Sequence, residues 1–158
     1  MIATGGAIVC FIPSGMLASR IGRKKTILCG ILLLAAGFFG GFAYTCAFHE
    51  FHSPLYILFF LIGAAWAFIN VNSLPMVLEM CKGSDSGRFT GFYYTFSMAA
   101  QIATPILAGT LLEHVSCMTL FPYCTVFVML SFVTMLFVRH GDVKAEVKHG
   151  LEAFEDMD

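Results

Sequence analysis

Gly15-Met16-Leu17-Ala18-Ser19-Arg20-Ile21-Gly22-Arg23-Lys24-Lys25 decides how the rest of the chain must fold. Arg20, Arg23, Lys24 and Lys25 put four cations within six residues, and a long apolar run lies on either side. A Lys or Arg at a bilayer centre costs roughly 2.5 to 3.5 kcal/mol, so four would cost on the order of 10 kcal/mol. The cluster therefore reads as a water-facing turn between two membrane helices. Gly15 and Gly22 frame it, at positions where backbones can approach closely or turn sharply.

Composition agrees with a bilayer protein. Hydrophobic residues make up 58% of the 158 residues, charged residues 12%, and the mean hydropathy is +0.82. A soluble domain carries about 25% charged residues. At about 20 residues per span there is room for five spans with short loops, an all-α membrane protein. The expected spans are residues 1–18, 26–48, 55–78, 89–112 and 120–138, with a soluble tail over 139–158. The first run is apolar from Met1 onward, which reads as a chain entered part-way through a longer protein.

The spans differ in kind. The second and fifth are almost uniformly apolar, and Gly37-x-x-x-Gly41 in the second offers a smooth patch for close helix packing. The third carries Trp66, Asn70, Asn72, Ser73 and Pro75 in its second half. In the fourth, Thr90, Tyr94, Ser97, Gln101 and Thr104 recur at steps of three and four, which is one face of a helix. Pro105 then sits one turn before Gly109, where a bend is expected. In the tail, Val143, Val147, Leu151 and Phe154 fall at helical steps and would suit a short surface helix; the alternative is a disordered tail.

All nine Lys and Arg residues fall at 20–25, 82–88 and 139–148, which five spans place on one side. The positive-inside rule makes that side the cytoplasm, with the N-terminus outside and the C-terminus inside. His49, Glu50 and His52 in the first outer loop lack a further ligand cluster and read as solvated, so no metal is expected. No clustered His, Asp or Cys has catalytic spacing, so neither an enzyme nor a cofactor is expected. The net charge of −1 argues neither for nor against a nucleic-acid partner; the distribution of the charges is what matters. With long uncharged runs between the basic clusters, the expected partner is the lipid bilayer and no nucleic acid.

The opening stretch resembles the signature loop of the major facilitator superfamily, Gly-x-x-x-Asp-Arg-x-Gly-Arg-Arg/Lys. Gly15, Arg20, Gly22, Arg23 and Lys24 match in register, while Ser19 stands at the aspartate position. The order of apolar, polar, polar and apolar spans after the loop resembles helices nine to twelve of that fold. The chain then corresponds to helices eight to twelve, most of a six-helix half, with the N-terminal helices of the same transporter as missing partners. The stretches 66–75 and 91–101 look similar to bacterial sucrose:proton symporters, which implies a bacterial plasma-membrane protein and a sugar as solute. The resemblance also implies a cytoplasmic charge lock, for which Arg20, Arg23 and Glu79 lie on the same side.

On this reading Trp66 stacks on the solute while Asn70 and Gln101 hydrogen-bond it, with Asn72, Ser73, Tyr94 and Ser97 beside them. The competing reading is that Asn70, Asn72 and Gln101 only bond across helices, as is common in membrane bundles. No Asp, Glu, Lys or Arg lies near the middle of a span, so a proton-coupling carboxylate is expected elsewhere in the transporter. A different class also stays open: a short five-span scaffold or subunit without transport of its own.

Overall fold

The computed structural model describes residues 1–47, 53–81, 85–116 and 119–139. It has five α-helices and, among the described residues, no strand: α1 (Ile2–Ile21), α2 (Arg23–Ala47), α3 (Pro54–Leu78), α4 (Ser86–His114) and α5 (Leu120–Phe137). All five are long and apolar enough to cross a membrane. The described residues are thus all-α. The 49–52 loop residues, Lys82, Gly83, Ser84 and the tail beyond Arg139 lie outside the described residues.

The basic turn is shorter than the charge pattern implies. Helix α1 continues through Arg20, α2 begins at Arg23, and Gly22 alone reverses the chain at φ 96°. Only glycine adopts that backbone angle without strain. The Gly22 N–H donates to the Ala18 carbonyl at 2.9 Å. The Gly22 carbonyl in turn accepts from the Thr26 N–H at 3.2 Å and from Thr26 Oγ1 at 2.9 Å, so one residue closes both helix ends. Gly15 does not share that duty. It lies inside α1, exposed, with open space where a Cβ would point.

Within a bilayer there is little hydrophobic drive between helices, so small residues that let backbones approach carry the packing. Helix α1 buries Gly6, Ala7, Ser14 and Ala18, and α3 buries Gly63, Ala64, Ala65 and Ala67. These two faces meet, and α2 packs against the other side of α3 and against α5. A Cβ at Gly6 would lie 2.6 Å from the Phe60 carbonyl oxygen, and one at Gly37 would lie 2.6 Å from Ile62 Cγ1. A Cβ at Gly41 would lie 2.9 Å from Phe121 Cε1 of α5. The Gly37–Gly41 patch therefore serves two neighbours at once. Helix α4 touches α3 and α5 only lightly, and neither α4 nor α5 contains a buried residue.

One polar contact is sealed into the α1–α3 crossing. Asn72 is 1% exposed and Ser14 is fully buried; Asn72 Nδ2 donates to Ser14 Oγ at 3.0 Å and to the Phe68 carbonyl at 2.8 Å. Polar pairs of this kind contribute about 0.6 to 2 kcal/mol in membrane bundles. A double-mutant cycle of Asn72→Ala and Ser14→Ala, read by unfolding in detergent, is expected to return a coupling in that range. Strict additivity would mean that the bond adds nothing to the crossing.

Candidate functional site

Two features bear on function: the ion-paired basic end of the bundle and the neutral polar groups along α3 and α4. At the basic end, Arg23 Nε pairs with Glu79 Oε1, joining the first turn of α2 to the C-cap of α3. Both side chains are largely covered, at 18% and 20% exposure. Each charge sits at the unfavourable end of its own helix dipole, a cation at an N-terminus and an anion at a C-terminus. The pair holds because the two helix ends are brought together. Arg20, expected in the same lock, is exposed on α1 beside Pro13, Met16 and Leu17, and the pair forms without it.

Lys24 has a task that the motif alone does not reveal. Its Nζ donates to the Leu136 carbonyl at 3.2 Å and also to the Val138 carbonyl. Those oxygens belong to the last turn of α5 and to its C-cap, where carbonyls lack helical partners and the dipole favours a cation. Lys24→Gln is expected to lose about 0.3 to 1 kcal/mol of local stability. The check is faster hydrogen exchange confined to the last turn of α5; unchanged exchange there would deny the tie. Ser19, in place of the motif's aspartate, donates to the Met16 carbonyl of its own helix at 2.8 Å.

The groups expected to meet a solute fall into separate places. Trp66 is 50% exposed and leans on Phe11 of α1, ring centroids 6.4 Å apart, where α1, α2 and α3 enclose a cavity of about 350 Å³. Asn70 is exposed and donates to the Trp66 carbonyl at 3.1 Å, one turn back on its own helix. Asn72 was expected among the solute contacts, but it faces α1 and is closed off by Ser14. At about 100° per residue it is rotated by roughly 100° to 160° around α3 from Ser73, Trp66 and Asn70, enough to face α1 where they do not.

Ser73 points elsewhere again. It lines a crevice of about 310 Å³ among α2, α3, α4 and α5, together with Tyr93, Ser131 and Thr134. Tyr94 is exposed beside Tyr93, with the rings edge to face at 5.4 Å. On α4, Gln101 Nε2 donates to Ser97 Oγ at 3.2 Å. These two line an open groove of about 420 Å³ with Ala100, Thr104 and Pro105. Among the described residues no group of three His, Cys, Asp or Glu side chains is placed to hold a metal ion.

The Major Facilitator Superfamily profile matches residues 1–154. The chain belongs to the major facilitator superfamily. It is 28% identical over 127 residues to an uncharacterized MFS-type transporter of Methanocaldococcus jannaschii, covering 80% of this chain and 30% of that protein. It is 24% identical over 148 residues to the MFS-type transporter ppzB of Metarhizium rileyi, covering 92% of this chain and 29% of that protein. The chain thus spans about three-tenths of the length of these relatives. No solved structure matches it significantly.

Membership in the superfamily makes this a multi-pass membrane protein and gives the basic turn its context. Three contributions escaped the linear reading: Ser14 as the partner of Asn72, Lys24 as the cap of α5, and the hydroxyls of Tyr93, Ser131 and Thr134 in one crevice. Each depends on which helix lies opposite, a matter of tertiary register that periodicity along one helix does not carry. The small residues Gly6, Ser14 and Ala18 were a legible signal, because their spacing repeats along one face of α1.

Proposed function

We propose that the chain is a segment of a secondary active transporter that moves a small neutral polar solute, a sugar, by alternating access. The observation that carries this reading is the groove on α4. In a helix long and apolar enough to span a bilayer, Ser97, Gln101 and Thr104 line an open surface with no buried neighbour to bond. Uncovered amides and hydroxyls are unfavourable against lipid, so they belong beside an aqueous path. Asn70 and the half-exposed Trp66 supply a second amide and an aromatic platform on α3. Tyr94 and Ser73 flank these groups, while Asn72 serves the packing of α1 on α3.

On this reading the segment corresponds to helices eight to twelve of the superfamily fold and works with the remaining helices of the same transporter. Its resemblance to bacterial sucrose:proton symporters supports a sugar as the solute and a bacterial plasma membrane as the location. The collection of Lys and Arg at one end supports a cytoplasmic basic end and a cytoplasmic C-terminus. The Arg23–Glu79 pair is then a latch that closes the cytoplasmic side while the cavity faces outward.

The test is transport by the full-length protein that carries this chain. Asn70→Ala and Gln101→Ala are each expected to lower uptake of labelled sucrose about tenfold, with unchanged abundance in the membrane. A buried hydrogen bond to solute contributes enough for such a loss, since 1.4 kcal/mol is a factor of ten. Normal uptake kinetics in both variants would refute the assignment.

A further inference from the structure

Three helices contain an internal proline: Pro13 in α1, Pro75 in α3 and Pro105 in α4. A proline has no N–H, so it strips the carbonyl four residues earlier of its helical hydrogen bond. The carbonyls released are those of Val9, Val71 and Gln101. Only the third belongs to a residue whose side chain is itself polar. Gln101 also lies near the middle of α4, on its open groove, with Pro105 in the same lining.

We propose that Pro105 builds a four-oxygen acceptor node on α4, and that this node selects a hydroxyl of a neutral solute. Its oxygens are the released Gln101 carbonyl, Gln101 Oε1, Ser97 Oγ and Thr104 Oγ1. Gln101 Nε2 is engaged by Ser97 Oγ at 3.2 Å, which holds the amide in place and leaves Oε1 to accept. The Thr104 hydroxyl has no hydrogen bond among the described residues and lines the same groove. There is no charge in that lining, so an ionic solute has no counter-ion there. The Ser97 and Thr104 hydroxyls can also donate, so the groove offers acceptors and donors together. A solute hydroxyl, which does both, answers it, and helix breaks that present backbone carbonyls near the bilayer midplane are a general means of making such sites. Pro105 is on this account a positioning residue: it touches no solute but exposes the oxygen that does.

The inference rests on the solute-transport reading above and narrows it to one hydrogen bond. It is tested with the purified full-length transporter and a panel of sucrose and its mono-deoxy and O-methyl analogues, measured by binding calorimetry. In the wild type, removing one particular solute hydroxyl is expected to weaken binding about tenfold. In Pro105→Ala, whose restored N–H recaptures the Gln101 carbonyl, that same removal is expected to matter less than about twofold. Thr104→Val should lessen the discrimination in the same direction, and it keeps the test open if Pro105→Ala does not fold. Pro13→Ala, which restores an N–H to the Val9 carbonyl on another helix, should discriminate as the wild type does. Full discrimination retained by folded Pro105→Ala and Thr104→Val would overturn the node while leaving the sugar reading intact. A wild type that binds no member of the panel would overturn the sugar reading and the node together.

Discussion

Gly63→Leu is expected to leave no stably assembled bundle, and Gly63→Ala to lose about 3 kcal/mol or more. At this position an added Cβ would overlap the Ala3 carbonyl oxygen and sit 2.7 Å from its carbon. Neither atom is the end of a flexible side chain that can swing away; both are α1 backbone. Helices α1 and α3 would have to separate, and separation would break the whole crossing: the Gly6–Phe60 approach, the buried alanines and the Asn72–Ser14 bond. The controls lie in α1 and α4. Gly5 in α1 and Gly91 in α4 have open space where a Cβ would point, and alanine at either is expected to be neutral or up to about 1 kcal/mol stabilising. Unfolding in detergent, with monodispersity as a second readout, separates the two groups. A Gly63→Leu protein as stable as the wild type would mean that the α1–α3 crossing is not what holds the bundle together.

What was legible in the sequence followed from local chemistry. The five helices come from apolar runs broken by charge, and the basic turn comes from the expense of burying cations. The polar face of α4 comes from steps of three and four, and the Gly37–Gly41 patch from a spacing of four. What was not legible concerns pairs far apart in the chain. Asn70 and Asn72 are two residues apart and equally polar, yet one lies open and the other is sealed against Ser14, 58 positions away. Arg20 and Arg23 are equally good candidates for Glu79 by charge, and the single-residue turn at Gly22 delivers only Arg23 to it. The fifth helix reads as featureless because Ser131 and Thr134 gain meaning only when Tyr93 and Ser73 are placed opposite.

The second large effect concerns the Arg23–Glu79 pair, where reversing one charge and reversing both are expected to act in opposite directions. Arg23→Glu alone sets two carboxylates together in a place only about a fifth exposed. Breaking a fully buried pair costs 3–5 kcal/mol, and partial solvent access reduces that to about 1–3 kcal/mol here. Glu79→Arg alone should behave similarly, with two guanidinium groups in place of two carboxylates. The double reversal, Arg23→Glu with Glu79→Arg, restores an ion pair and also corrects both helix ends. It puts an anion at the N-terminus of α2 and a cation at the C-terminus of α3, each favourable by about 0.3–1 kcal/mol at such an end. The number of cations at the basic end is unchanged, so the topological signal is preserved. The doubly reversed protein is therefore expected to be at least as stable as the wild type, as judged by thermal unfolding in detergent. If it stays as unstable as the two single reversals, the pair's contribution depends on the particular Arg23 Nε–Glu79 Oε1 contact and not on the meeting of two helix ends.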